Sequence, residues 1–164
     1  MKTLFIGGIK SGKSKNAEAY TLAQTQEKPI YLATTEFIDK ELSARIEKHK
    51  RQREERFTTI EEPLKLSRTV AASQEIVLIE CLSMWINNML YHEFPHADIY
   101  EEVERLLALE KDIVFVINDV GSCIIPDNAL AREFLDLNGR IAQMVASACD
   151  AVYHTVAGIS TKIK

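Results

Sequence analysis

The sequence predicts an α/β fold of three layers with a mostly parallel central sheet. Three observations carry that expectation. Five apolar runs rich in Val, Ile and Leu are nearly continuous rather than alternating, the pattern of strands covered on both faces. Segments with helical spacing lie between those runs. Gly and Pro are sparse, six and four respectively, so a long flexible linker is not expected. Strand–helix alternation implies right-handed crossovers, and ligands in such folds bind beyond the carboxyl ends of the strands.

The first expected strand is Lys2–Ile6, followed by a helix over Lys13–Gln24. A second strand, Pro29–Thr34, precedes a strongly charged helical segment, Phe37–Arg56. Pro63–Ser73 reads as a helix because Pro63 suits a first helical turn, where a missing N–H costs nothing. The third strand is Glu75–Cys81, and helices at Met84–Tyr91 and Ile99–Glu110 separate it from the fourth, Asp112–Asn118. Asn128–Cys149 places Leu130, Phe134, Leu137, Ile141, Val145 and Ala148 at helical spacing, and Ala151–Val156 is the last expected strand. Trp85 reads as core or interface, with stacking on a ligand ring as the alternative.

At 164 residues the expectation is one domain, 1–164, and there is no repeat or low-complexity stretch. A hydrophobic fraction of 46% and a charged fraction of 27% argue against wholesale disorder. The net charge of −4 gives no bulk attraction to nucleic acid, so no nucleic-acid partner is expected. No apolar run approaches the ~20 residues needed to span a bilayer, and MKTLFIGG does not read as a signal peptide. Cys81, Cys123 and Cys149 are odd in number and outside any CxxC spacing. They suggest a reduced, cytoplasmic setting, with neither a disulfide framework nor a zinc site.

Half of the glycines fall in one stretch, Gly7-Gly8-Ile9-Lys10-Ser11-Gly12-Lys13-Ser14, which matches G-x-x-x-x-G-K-[ST]. Glycines let the backbone turn tightly and aim N–H groups at phosphate oxygens. A helix starting near Lys13 adds its positive end. Lys13 supplies a mobile cation for the β- and γ-phosphates, and the Ser14 hydroxyl is a ligand for Mg²⁺. An ordinary glycine-rich strand-to-helix turn is the bland alternative, but the apolar strand before the loop and the helix after it supply the required context. The fold class narrows accordingly to a three-layer P-loop NTPase-like fold.

Such a loop needs an acid to help hold magnesium. Glu80 ends an apolar run where that acid belongs, and Asp119 ends another in the same manner. For each, metal or nucleotide contact stands beside the alternative of capping a turn. The charged segment Arg45–Arg56 holds six Lys/Arg and three Glu, and helical spacing puts Arg45, His49, Arg53 and Arg56 on one face. A solvated helix face is one reading. The other is an anionic transition state: a neutral imidazole attacks phosphorus, and flanking cations stabilise displaced pyrophosphate and hold the imidazole unprotonated. His92, His96 and His154 lack this setting; His154, in the last expected strand, reads as structural.

The chain resembles the bifunctional adenosylcobinamide kinase / adenosylcobinamide-phosphate guanylyltransferase family of cobalamin biosynthesis. The resemblance runs through GGIKSGKS at 7–14, YLAT at 31–34, ARIEKHK at 44–50, TIEEP at 59–63, LIECLSMWINNML at 78–90, VINDVGSCIIPDNALAREFLDLNGRIAQ at 116–143 and VAGISTKIK at 156–164. It implies two reactions. The γ-phosphoryl group of ATP or GTP passes to the aminopropanol hydroxyl of adenosylcobinamide; GMP from GTP then passes to that phosphate through a guanylylated histidine, which aligns with His49. The family's nucleotide-contacting positions match Gly7, Gly8, Ile9, Lys10, Ser11, Gly12, Lys13 and Ser14, the turn Ala33-Thr34-Thr35, the run Lys50, Arg51, Gln52 and Arg53, and Glu61 and Glu80. Catalytic roles then fall to His49 and Lys13, and Mg²⁺ to Ser14 and Glu80. The resemblance also implies a propeller-shaped homotrimer.

This chain departs from the family pattern in places. Lys10 stands where Arg is usual, Phe57 where Trp is usual, and Asp119 where Glu is common. Lys50–Glu54 lacks the Arg-Pro step common after the histidine, and the segment between Met89 and Asp112 is compact. None of these removes a core chemical group. The alternatives to the bifunctional enzyme are a P-loop small-molecule kinase without nucleotidyl transfer and a nucleotide-binding regulatory module.

Overall fold

The computed structural model describes residues 1–36, 55–122 and 124–164. Along the chain it contains β1 (Lys2–Gly7), α1 (Lys13–Ala23), β2 (Ile30–Ala33), β3 (Thr58–Glu61), α2 (Leu66–Ala72), β4 (Val77–Glu80) and α3 (Leu82–Tyr91). There follow α4 (His96–Ala108), β5 (Ile113–Asn118), α5 (Ala129–Ala148), β6 (Ala151–Val156) and β7 (Ile159–Lys162). The strands form a seven-stranded sheet in the order β3-β2-β4-β5-β1-β6-β7. Every pairing is parallel except that of β6 with β7. This is the expected three-layer α/β class with a mostly parallel sheet.

The near-continuous apolar runs are explained by burial on both faces. Leu4, Leu32, Ile79, Phe115 and Ile117 join one core with Leu66 and Val70 of α2, Trp85 and Ile86 of α3, Ile99 and Val103 of α4, and Leu137, Ile141 and Val145 of α5. Their neighbours in the same strands, Phe5, Tyr31, Leu78, Val114 and Val116, face the other way, onto Ala17 of α1 and Phe57. Successive strand side chains point to opposite faces, so a strand buried on both must be apolar at every step. Phe5 stacks on Tyr153 at 4.8 Å between ring centroids, closing the second core towards β6.

Two strands were not expected. β3, Thr58-Thr59-Ile60-Glu61, is a short edge strand with one apolar residue, and it pairs only with β2. β7, Ile159-Ser160-Thr161-Lys162, is an edge strand of the same polar kind. It follows a two-residue turn at Ala157 and Gly158, with φ of 51° and 83°. Consecutive positive φ values are what a tight hairpin of this twist requires. β6 is therefore not the last strand, and His154 lies within it, half-buried.

The helix expected from Met84 begins at Leu82, immediately after β4. The helix expected from Asn128 is capped by that residue, whose side-chain oxygen accepts from the N–H groups of Leu130 and Ala131. The expected helix Phe37–Arg56 falls largely outside the described residues; its last two, Glu55 and Arg56, form a turn leading to β3. Among the described residues no helix is long and apolar enough to cross a membrane.

Trp85 belongs to the core. It is fully buried on α3, and its indole N–H donates to the Leu64 carbonyl at 2.9 Å. Trp85→Ala is expected to lower unfolding stability by about 3–5 kcal/mol, measured by far-UV circular dichroism in a denaturant titration; a loss below about 1 kcal/mol would contradict that placement.

Candidate functional site

The carboxyl ends of the strands gather the candidate residues along one edge. β1 ends at Gly7, in register with Asn118 of β5 and Thr155 of β6. Three strands away, Ala33 of β2 lies in register with Glu61 of β3 on one side and Glu80 of β4 on the other. Sheet order thus sets Glu61, Ala33 and Glu80 in a row that leads towards the loop leaving Gly7.

That loop, residues 8–12, turns back through Ser11, whose N–H donates to the Gly8 carbonyl at 3.2 Å. Lys10 and Gly12 take positive φ values, 59° and 94°. Gly12 caps α1, and Lys13 is its first residue, so the first N–H groups and positive end of α1 belong to the loop. The Lys13 side chain is buried, and its ammonium donates back to the Gly8 carbonyl at 3.3 Å. The cation is therefore folded back over the loop.

Ser14 reaches across to the acid. Its hydroxyl donates to Glu80 Oε1 at 2.7 Å. A hydroxyl oxygen and a carboxylate oxygen in contact are hard donors of the kind Mg²⁺ prefers. Among the described residues no group of three or more His, Cys, Asp or Glu could hold a metal. That donor set fits an ion that keeps most of its shell from water and phosphate better than one held in an all-protein cage.

Glu80 is held from behind by Thr34. The buried Thr34 hydroxyl donates to the carbonyls of Glu80 and Cys81, at 3.2 and 2.9 Å, and accepts the Cys81 N–H at 3.0 Å. The Thr34 N–H also donates to the Glu80 carbonyl, at 3.1 Å. The Glu80–Cys81 peptide that it grips is cis. Asn88 of α3 extends the brace, its amide donating to the carbonyls of Thr34 at 2.6 Å and Pro63 at 3.1 Å. Asn88 went unread in the sequence because an Asn inside an apolar helix carries no local signal of what it bonds.

Asp119 makes contacts within its own turn. Its carboxylate accepts from the Gly121 N–H at 3.3 Å and the Ser122 hydroxyl at 3.2 Å. Of the other sequence candidates, Thr35 is half-buried just beyond β2. His49, Lys50, Arg51, Gln52 and Arg53, together with Cys123 and Arg45, lie outside the described residues. The chain on either side of 37–54 is placed. Glu36 accepts His92 Nε2 at 2.9 Å; Arg56 pairs with Glu18 of α1 at 3.6 Å, and Phe57 is buried against Tyr31. His96 pairs with Glu133 of α5 at 2.7 Å.

A second feature went unread. The turn between β6 and β7 lies against the loop: the Gly158 N–H donates to the Ser11 carbonyl at 2.7 Å. Asn16 of α1 donates to the Gly158 carbonyl at 3.0 Å and to Ser160 Oγ at 2.7 Å. The available signal was Ala157-Gly158 between two short strand-like stretches.

Comparisons with known proteins bear on the family and the fold. The family described as "Cobinamide kinase / cobinamide phosphate guanyltransferase" matches residues 3–163. "Bifunctional adenosylcobalamin biosynthesis protein CobU" of Escherichia coli (strain K12) is 34% identical over 183 residues, covering 100% of both chains. The protein of that name from Salmonella typhimurium gives the same identity and coverage. "Bifunctional adenosylcobalamin biosynthesis protein CobP" of Pseudomonas aeruginosa is 34% identical over 171 residues, covering 100% of this chain and 98% of its own. Among solved structures, the flagellar accessory protein FlaH of Methanocaldococcus jannaschii superposes with a TM-score of 0.51 at 13% identity, over 98% of this chain and 75% of that one. A KaiC-like protein of Pyrococcus horikoshii gives 0.50 at 16% identity, over 93% of this chain and 69% of that one. At such identities the structural likeness shows the fold alone.

Two outcomes are expected. Glu80→Gln keeps the hydrogen bond from Ser14 but removes the charge, and should lower phosphoryl transfer by about 10²-fold or more, an order typical of losing one charge-stabilising group; steady-state turnover checks it. The Cys81 and Cys149 thiols should be inert. Burial above all, then the charge of Glu80, pushes the Cys81 thiol up to about 12, and burial pushes Cys149 up to about 12. Only the thiolate reacts, so at pH 8 neither should be alkylated in the folded protein, and both should be after unfolding, as read by peptide mass mapping.

Proposed function

The chain belongs to the cobinamide kinase / cobinamide phosphate guanyltransferase family, and from that premise we propose that it phosphorylates adenosylcobinamide and then guanylylates the product. The observation that carries the reading is the 2.7 Å hydrogen bond from Ser14 to Glu80, which joins the phosphate loop to an acid at the end of a neighbouring strand. That pair sets hard oxygen donors where a magnesium-bound nucleotide needs them, and the family match makes the nucleotide a substrate.

In the first reaction the loop glycines and the start of α1 take the phosphates of ATP or GTP, and Lys13 exchanges the Gly8 carbonyl for phosphate oxygens. The aminopropanol hydroxyl attacks the γ-phosphorus, the bond to the bridging oxygen breaks, and a nucleoside diphosphate leaves. Ser14 and Glu80 would hold Mg²⁺, which when bound neutralises charge on the phosphates.

In the second reaction an imidazole nitrogen of His49 attacks the α-phosphorus of GTP. A P–N bond forms, the bond to the β-phosphate oxygen breaks, and pyrophosphate leaves. The phosphate of adenosylcobinamide phosphate then displaces the imidazole, giving adenosylcobinamide-GDP and free His49. Lys50, Arg51 and Arg53, next to the nucleophile in sequence, supply cations for the displaced pyrophosphate, and Gln52 a neutral donor. Ala33, Thr34, Thr35 and Glu61 complete the nucleotide site from the row of strand ends. Support comes from where the chain leaves the sheet: residues 34–36 follow β2 at its carboxyl end, the edge that carries the loop. We further propose that residues 1–164 act as one domain, in the cytoplasm, as a homotrimer.

GTP labelled in the α-phosphate should leave an acid-labile GMP adduct on the wild type and none on His49→Ala, which should still phosphorylate adenosylcobinamide. Absence of the adduct in a wild type that phosphorylates normally would reduce the protein to a kinase. Lys13→Ala should depress both reactions by about 10²-fold or more, read in parallel assays of nucleoside diphosphate and pyrophosphate release.

A further inference from the structure

The hairpin between β6 and β7 makes more contact with the phosphate loop than a chain end needs. The Gly158 N–H donates to the Ser11 carbonyl at 2.7 Å. A Cβ on Gly12 would lie 2.9 Å from Gly158 Cα, so the two backbones touch with nothing between them. The single amide nitrogen of Asn16, on the first turn of α1, spends its two hydrogens on the Gly158 carbonyl and Ser160 Oγ. Ser160 Oγ is in turn 2.8 Å from Thr155 Oγ1, across the hairpin. Loop, helix start and hairpin are thus joined by a chain of hydrogen bonds that passes through Asn16.

We propose that Asn16 and the Gly158 turn are positioning residues that fix the direction of the Gly12 N–H towards phosphate. The argument is one of peptide geometry. In a planar trans peptide the C=O and the following N–H point in opposite directions. The Gly158 N–H holds the Ser11 carbonyl towards the hairpin. The N–H of Gly12, in the same peptide plane, is therefore turned away from the hairpin and back into the loop. Left unclamped, a plane between Ser11 and a glycine at φ of 94° rotates at little cost, because Gly12 has no Cβ to resist it. Asn16 prevents that by anchoring the turn to the helix that the loop enters. A donor aimed before the ligand arrives costs nothing to reorganise on binding. The proposal deepens the reading above and rests on it, since it assumes that this loop holds the triphosphate.

The test uses the whole protein and two probes, MgGTP and inorganic tripolyphosphate, the second of which has no base or sugar to contact any other element. Affinity is measured by calorimetry for the wild type, Asn16→Ala and Gly158→Ala. The alanine at 158 meets no atom within 4 Å and acts only through the strain of a φ of 83° on the turn. Both variants should bind both probes about five- to tenfold more weakly, the scale of one or two hydrogen bonds. The KM for nucleotide should rise by the same factor in both reactions, with kcat at saturation kept within about twofold. A purely structural role would instead lower the melting temperature and the active fraction while leaving the tripolyphosphate affinity of the folded molecules unchanged. That result in either folded variant overturns the clamp. Failure of the wild type itself to bind tripolyphosphate overturns the underlying reading, and the clamp with it.

Discussion

Gly7 stands where β1 gives way to the phosphate loop, and a side chain there has nowhere to go. Its Cβ would lie 2.4 Å from the Thr155 carbonyl oxygen and 2.7 Å from Ser11 Oγ. The first clash is with backbone of the neighbouring strand, which a rotamer change cannot relieve. Because β1 runs between β5 and β6, this close approach fixes where the loop begins relative to the whole sheet. From that point the loop is held on two sides: Gly158 takes the Ser11 carbonyl, and Ser14 meets Glu80. The absence of one methyl group is thus a condition for both contacts.

The opposite half of the site is organised by hydrogen bonds. Glu80 ends a strand buried on both faces, so its backbone is set by the sheet, and its carboxylate by Ser14. Thr34 ties the end of β2 to the peptide after Glu80, and Asn88 ties Thr34 to Pro63 beyond β3. These two fully buried residues hold three strand ends in fixed relation. The sequence resemblance implies nucleotide contact at Thr34, whose hydroxyl is occupied by backbone. Its contribution through that group is the placement of Glu80.

What was legible in the sequence follows from what a side-chain pattern can record. Burial on both faces writes a continuous apolar run, so β1, β2, β4, β5 and β6 could be read directly, and the loop motif could be read because its chemistry demands particular residues. Edge strands write no such run. β3 and β7 are each paired on one side only, and their side chains are largely exposed or half-buried. Hydrogen bonds between distant segments also leave no local trace. Nothing around Asn16 announces Gly158, 142 residues away, and nothing around Asp119 distinguishes an acid that caps a turn from one that meets a metal. Position at a strand's carboxyl end is shared by Glu80 and Asp119; what separates them is that one receives Ser14 and the other Gly121 and Ser122.

The two proposed reactions place different demands on one triphosphate. An attacking group must approach phosphorus opposite the bond that breaks. For transfer of the γ-phosphoryl group the acceptor therefore comes from beyond the end of the triphosphate. For attack at the α-phosphorus, the leaving group is the pyrophosphate itself, and the nucleophile comes from the far side of the α-phosphorus. A rigid loop that grips the phosphates serves both, because both need the β- and γ-phosphates held. On the proposed reading the shared grip comes from described residues, the strand ends and the start of α1. His49 and its neighbouring cations lie in the sequence between β2 and β3. On that reading, losing the nucleophile leaves the grip, whereas losing Lys13 removes a contact that both reactions use.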